Sequence, residues 1–350
     1  MAPMLNEADH VEHLVADLAN QDFDGEVEVL VADGGSSDGS VERLLASAER
    51  AGLNLRVLDN PSGWVSQALN ACIRQAQGAL LIRLDCHSRY PRDYIRRCVV
   101  VAEETGALAV GGFVAPEGRT VMERATACAM DSPFGGIGWM RGGSRPIRRD
   151  SDILTYGAFR REAFDQVGFF DVRLKRNQDD DFTFRIRRNR GRVVLDSTIR
   201  VHYTPRGSYR GVLRQYFQYG FWKVAVMKKH RRMLSTRSLV PPAFVASLAA
   251  LIPISLFVPQ ARWVLAAEVG AYAAGALGFA ALSVVGRRES WLLLPRVAAV
   301  FPAFHLGYGV GVFAGAFALV RPGRGFAAPD VADETAARPS LAPVQDVHRI

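Results

Sequence analysis

Cysteine is scarce in this sequence: four residues, Cys72, Cys86, Cys98 and Cys128, with neither a CxxC pair nor the spacing of a zinc site. That excludes a disulfide-stapled scaffold and a structural zinc module, and it fits a reduced, cytosol-facing domain with unpaired thiols. The opening MAPMLNEADH lacks the basic start and apolar core of a signal peptide, so membrane targeting is expected from later segments. No helix-turn-helix, zinc-finger or RNP-type signature accompanies the net charge of +8, and no nucleic-acid partner is expected. Charge itself is sparse from about Leu239 to Val320, where the chain is almost continuously apolar.

What is present divides the chain in two. At 350 residues it exceeds the usual size of one domain, so one large domain with an appendage is expected. The first half alternates strand and helix signals. Strand-like runs are Val27–Val31, Leu53–Leu58, Ala79–Ile82 and Ala107–Val114. Between them, His13–Ala19, Val41–Ala51, Val65–Ala76 and Tyr94–Glu104 read as helices. Such alternation implies an α/β domain with a mainly parallel sheet flanked by helices. Further on, Gly135–Arg149 reads as a mobile loop, ILTYGAF (Ile153–Phe159) as a strand, Asn177–Arg190 as a charged helix opening and Arg192–Leu195 as a strand.

Three apolar segments follow, Pro241–Val258, Trp263–Val285 and Val297–Val320, each about long enough to cross a bilayer. Pro253 and Pro302 lie inside the first and third, which kinks a membrane helix without forbidding it. KKHRR before the first and Arg287-Arg288 after the second mark a cytosolic side. The expectation is a multi-pass cell-membrane protein whose catalytic half faces the cytoplasm. Gly211–Met227 is amphipathic and is expected to meet the membrane surface or the catalytic domain. The expected division is a catalytic domain over residues 1–230, a membrane region over 231–320 and a disordered Pro- and Ala-rich tail over 321–350.

Four stretches could carry chemistry, and each also has a plain structural reading. In RLDCHSRYP, Asp85 and His87 face one side if the backbone is extended. A carboxylate and an imidazole suit Mg²⁺ or Mn²⁺ bound mainly by substrate phosphates; they equally suit a cap and a surface histidine. Asp33 ends a strand in DGGSSDGS and could accept from a nucleobase, with Ser36 and Asp38 shaping the pocket, or simply belong to a strand-to-helix turn. Asn177–Asp181 crowds carboxylates, which raises at least one pKa and suits a general base; acids at a helix start also complement its dipole. Arg214–Lys223, RQYFQYGFWK, could grip a sugar or diphosphate, or form an interfacial aromatic belt.

The order of these stretches is more specific than any one of them. NE, VADGGSSDGS, LDCH, RNQDDDFTFR, QYFQYG and then apolar helices resemble the family 2 glycosyltransferases with the GT-A nucleotide-diphospho-sugar transferase fold. RLDCHSRYP, YGAFRREAF, VGFFD and RNQDDDF resemble the succinoglycan-biosynthesis branch, over roughly residues 3 to 230. The resemblance implies a nucleotide-diphospho-sugar donor and a divalent metal, Mg²⁺ or Mn²⁺. It assigns Asp33 to the nucleobase, Asp85 to the metal and donor, and His87 to the metal. Asp179 becomes the catalytic base beside Asp180, with Gln178 in place of the usual Glu. Pro3, Asn6 and Glu7 match the donor-side end of the first strand. Gln215 loosely matches a Gln/Arg-rich motif that closes over the nucleotide.

Two departures stand out. The chain opens almost on its first motif, so either the true start lies upstream of Met1 or the first strand is short. His87 stands where Asp is commoner, which removes a negative charge and would loosen metal binding or favour Mn²⁺. The expected activity is an inverting sugar transfer, and the membrane segments, which would hold the site at the bilayer surface, point to a lipid-linked saccharide or other polysaccharide precursor as acceptor. The alternatives are a processive polysaccharide synthase, which would need more helices for a channel, and a catalytically inactive membrane-anchored nucleotide-binding scaffold.

Overall fold

The computed structural model describes residues 1–135, 147–231 and 236–320. The chain forms two compact units. The first holds Met1–Ala115 and the described part of Gly142–Tyr203; the second holds the described parts of Pro116–Arg141 and Thr204–Ala327.

In the first unit, β1 (Ala2–Met4), β2 (Val29–Asp33) and β3 (Leu55–Asp59) pair in parallel, Ala2 beside Val31 and Val29 beside Leu55. Parallel neighbours need crossovers, which α1 (Val11–Ala19) and α2 (Ser40–Arg50) supply. The face of α1 that packs inward is Val11, Leu14, Val15 and Leu18, the stripe its spacing sets. From the β3 edge, α3 (Val65–Gln75) returns the chain to β4 (Leu80–Ile82) on the other side of β1. The Met1 amine donates to the Ile82 carbonyl at 2.9 Å, and the Leu84 N–H donates to the Met1 carbonyl at 2.9 Å. Strand order therefore reverses between β1 and β4. Ligands bind beyond the carboxyl ends of strands at such a reversal, and here those ends run into Asn6-Glu7 and Arg83–His87.

The mainly parallel pairing expected from the alternation is confined to that part. A second sheet has the order β4-β8-β6-β9-β5, with β5 at Ser88–Arg89, β6 at Ala109–Pro116, β8 at Ala158–Arg160 and β9 at Val193–Tyr203. Phe159 on β8 lies opposite both Leu81 of β4 and Ala109 of β6, antiparallel to each. So β4 and β6 point the same way, as the crossover through α4 (Tyr94–Thr105) requires. A strand from later in the chain has entered between them, which local periodicity cannot show. β7 (Arg148–Asp150) and β5 also run antiparallel to β9. ILTYGAF supplies a shorter strand than expected because Tyr156 sits at φ +53°, outside extended space. β9 is longer than Arg192–Leu195, at 11 residues. After α6 (Arg161–Val167), α7 (Gln178–Arg188) is fixed by Phe182, whose ring lies 4.8 Å from Phe164 and 4.7 Å from Phe170.

The second unit contains α5 (Val121–Asp131), α8 (Tyr209–His230), α9 (Val240–Phe257), α10 (Pro259–Gly286) and α11 (Leu294–Val320). Three helical stretches, Arg237–Phe257, Pro259–Gly286 and Trp291–Leu319, are long and apolar enough to cross a membrane. Pro253 and Pro302 lie inside helices. α8 lies along α11 at backbone distance. Gly307, Gly311 and Gly315 recur every fourth residue, and a Cβ on Gly311 would come within 2.2 Å of the Phe217 carbonyl oxygen. A Cβ on Gly220 would meet the Tyr308 oxygen at 2.1 Å. Helix α5 escaped the sequence reading because its buried face is small: Ala125, Cys128 and Ala129 pack with Val300, Phe301 and Phe304. Its start is nonetheless marked by a Thr120–Glu123 capping box. Most of the Gly/Arg-rich loop and the whole tail after Arg321 lie outside the described residues.

Candidate functional site

Beyond β4 the backbone turns instead of staying extended. The Ser88 N–H donates to the Asp85 carbonyl at 3.2 Å, closing a turn over Cys86 and His87. Strand parity therefore does not set the directions of Asp85 and His87. Cys86 points inward, its thiol on the Pro3 carbonyl at 3.6 Å, and burial pushes that thiol's pKa up. Three buried tyrosines hold the turn. The Tyr90 hydroxyl accepts from the Asp85 N–H at 2.6 Å and donates to the Asp85 carbonyl at 3.2 Å. Ser88 donates to the Tyr156 hydroxyl at 3.0 Å, and the Tyr94 hydroxyl donates to the Tyr156 carbonyl at 3.3 Å. Burial pushes all three phenols up, so they remain neutral donors.

The Asp85 carboxylate faces Arg83 at 3.5 Å, and the other amino nitrogen of Arg83 lies 3.5 Å from Asp179 Oδ2. Two acids far apart in sequence thus meet on one guanidinium. Asp179 sits in the first turn of α7, where burial pushes its carboxyl up, Arg83 pulls it down and Asp180 pushes it up again; the net direction is upward. The Asp180 N–H donates to Asp179 Oδ1 at 3.1 Å. Asp181 plays a different part: fully buried, it pairs with Arg185 at 3.0 Å. That guanidinium in turn donates to the Phe169 carbonyl at 2.6 Å, tying α7 to the preceding loop. Gln178 is buried, with its Oε1 unpartnered.

The first motif and the glycine turn are stitched together. The Asn6 N–H donates to Ser36 Oγ at 2.8 Å, Glu7 N–H to Ser40 Oγ at 2.8 Å, and Ala8 N–H to Asp38 Oδ2 at 3.0 Å. In return, Ser37 N–H donates to Asn6 Oδ1 at 3.0 Å. The Ser40 hydroxyl and the Ala8 N–H hold Asp38 below the usual carboxylate range. Asp33 accepts from the N–H groups of Gly35 and Ser36 at 3.0 Å and from Ser36 Oγ at 2.6 Å. Glu7 also reaches His87, whose Nδ1 is 3.4 Å from Glu7 Oε1. So the structure brings Asn6, Glu7, Ser36, Asp38 and His87 to one rim, and Asp85 and Asp179 to Arg83. Pro3 supports from within β1, beside Ala32. Gln215 belongs to α8 of the second unit, where its amide donates to the Tyr219 hydroxyl at 2.9 Å. The sequence reading missed Arg83 and Tyr90. A charged residue at the end of an apolar strand was the available signal for Arg83.

The residues fit a divalent cation that is bound chiefly by a substrate. Asp85 offers a carboxylate and His87 an imidazole, the donor count Mg²⁺ or Mn²⁺ needs when phosphates and water complete the shell. No group of three or more His, Cys, Asp or Glu side chains converges on one point among the described residues.

The model of the family described as "Glycosyl transferase family 2" matches residues 1–168. Succinoglycan biosynthesis protein ExoA of Rhizobium meliloti (strain 1021) is 32% identical over 317 residues, 88% of this chain and 92% of that protein. The undecaprenyl-phosphate 4-deoxy-4-formamido-L-arabinose transferase of Serratia proteamaculans (strain 568) is 40% identical over 78 residues, 22% of this chain and 24% of that one. Among solved structures, the mannosyltransferase PcManGT from Pyrobaculum calidifontis, in complex with GDP-Man and Mn²⁺, has a TM-score of 0.55 at 21% identity, covering 89% of this chain and 85% of that one. That last likeness is one of fold, the GT-A arrangement. Similar along 88% of its length to a succinoglycan biosynthesis protein, the chain belongs to the family 2 glycosyltransferases and is an enzyme of that class.

Proposed function

We propose that this enzyme moves a sugar, with inversion, from a nucleotide-diphospho-sugar to a lipid-linked saccharide or related polysaccharide precursor at the cytoplasmic face of the cell membrane. The observation that carries the reading is the meeting of Asp85 and Asp179 on Arg83, each at 3.5 Å, beyond the strand ends where the order reverses. One acid lies on the side that would hold the donor diphosphate; the other, in the first turn of α7, has its pKa raised, which suits a base.

Asp33 serves the nucleobase: a carboxylate offers about four acceptor positions, and its own turn takes three. Asn6, Glu7, Ser36 and Asp38 frame the nucleotide, with Pro3 beneath them. A Mg²⁺ or Mn²⁺ on Asp85 and His87 would offset charge on the leaving diphosphate. Asp179 takes the proton of the acceptor hydroxyl as that oxygen bonds to the anomeric carbon, and Asp180 keeps the base's proton affinity high. The bond from that carbon to the β-phosphate oxygen breaks, and its electron pair leaves with the nucleoside diphosphate. Attack opposite the leaving group inverts the centre.

Three apolar helices and a relative named for undecaprenyl-phosphate support a lipid-linked acceptor. KKHRR and Arg287-Arg288 support a multi-pass arrangement with the site in the cytoplasm. The functional division is a catalytic part to about residue 230, a membrane region to 320 and a tail beyond. A panel of radiolabelled UDP-, GDP- and dTDP-sugars, offered to membranes containing the protein, tests the reading. Lipid-extractable label that depends on Mn²⁺ or Mg²⁺ is expected with one donor. Failure with every donor, against active control membranes, would overturn it.

A further inference from the structure

No role of its own in transfer is given to Arg83 above, yet its environment differs from that of Arg160, Arg161 and Arg185. Arg161 donates to the Gly78 carbonyl at 3.0 Å, Arg160 to that of Ala102 at 2.8 Å, and Arg185 to that of Phe169 at 2.6 Å. Each pins backbone. Among the described residues the Arg83 guanidinium bonds no carbonyl; its Nε and Nη1 are buried without a hydrogen-bond partner there, and its side chain is only 11% exposed. A buried guanidinium is costly unless opposite charge compensates it. Here the compensation is Asp85 on one side and Asp179 on the other, 3.5 Å each. The backbone beneath it is fixed independently, since the Arg83 N–H donates to the Gly157 carbonyl at 2.9 Å.

We infer that Arg83 is a positioning residue for transfer, holding the Asp85 and Asp179 carboxylates at a set separation so that the base is aimed at the acceptor when the donor is in place. This rests on the reading of Asp179 as base. A single guanidinium shared by two acids fixes both ends at once, and displacement of a catalytic group by about 1 Å costs on the order of 100-fold in rate. A residue that merely filled space would not separate turnover from binding. Arg83 should separate them.

The test uses the full chain in detergent, with the donor found active in the panel. Arg83→Gln is expected to lower kcat about 100-fold while donor KM and Mn²⁺ binding, the latter read by paramagnetic resonance titration, stay within threefold. Arg83→Lys keeps the charge and is expected to recover about tenfold of the loss. Asp179→Asn is run beside them. If Asp179→Asn is inactive but Arg83→Gln keeps kcat within threefold of wild type, the inference fails and the base assignment stands. If Asp179→Asn turns over normally, the base assignment itself fails. Equal losses in Mn²⁺ binding and kcat for Arg83→Gln would make Arg83 a part of the metal site instead, and overturn the inference. Should Arg83→Gln not fold, Arg83→Lys decides alone: wild-type kcat overturns the inference, and reduced kcat with unchanged Mn²⁺ binding supports it.

Discussion

The Tyr90 hydroxyl grips Asp85 twice, accepting from its N–H at 2.6 Å and donating to its carbonyl at 3.2 Å. One buried phenol thereby fixes the peptide on either side of the acid that is assigned to the donor. Tyr90→Phe removes both bonds without changing the packing of the ring against Tyr94, 4.9 Å away. A buried peptide group left unpaired costs about 1–3 kcal/mol. The expected outcome is a lower melting temperature together with a rise in the Mn²⁺ concentration that gives half-maximal activity. Unchanged metal dependence would separate Tyr90 from the site.

His87 is the second test. Its Nδ1 lies 3.4 Å from Glu7, so His87→Asp would set two carboxylates side by side. Like charges repel without a cation and share one readily. The variant is expected to need several-fold less Mn²⁺ for half-maximal activity and to be less stable than wild type in EDTA. Weaker metal dependence in the variant would argue that His87 is not a ligand. In the wild type, EDTA is expected to abolish transfer and excess Mn²⁺ to restore it.

The pH profile follows from Asp179. Burial and Asp180 together outweigh the pull of Arg83, so its pKa lies above the usual aspartate value, about 3.9. A base works only when ionised. Activity is therefore present above that raised pKa and lost as pH falls through it. The kcat profile is expected to show an acid limb displaced upward from the ordinary aspartate range. A limb at or below about 3.9 would contradict the assignment.

Much of this was legible beforehand. Val11, Leu14, Val15 and Leu18 declared α1, and the run Val27–Val31 declared β2, found two residues further on at Val29–Asp33. The motifs in order pointed to the family, and the structure places Asn6, Glu7, Ser36 and Asp38 on one rim. What the sequence could not show is long-range pairing. β8 enters between β4 and β6 from later in the chain, and nothing local marks its partners. The turn over Cys86-His87 displaced a parity argument that presumed extended backbone. Arg83 was visible as a residue, but its link to Asp179, 96 positions on, needed the fold.

Packing in the second unit carries its own prediction. A Cβ at Gly311 would come within 2.2 Å of the Phe217 carbonyl oxygen, and backbone cannot yield as a side-chain tip can. Gly311→Val is expected to push α8 from α11 and to cost about 1–3 kcal/mol, read as a lower melting temperature in detergent. Gly278→Val, where a Cβ meets nothing within 4 Å, is the matched control and should be near neutral. Equal effects would remove the close approach from the account.

The central claim is that Asp179 activates an acceptor hydroxyl toward a nucleotide-bound sugar. Single-turnover transfer by wild type and Asp179→Asn, with lipid-extractable label and nucleoside diphosphate release followed together, tests it most directly. The account predicts that Asp179→Asn loses transfer by at least about 100-fold while binding Mn²⁺ and donor as wild type does. Transfer at the wild-type rate by Asp179→Asn would contradict it.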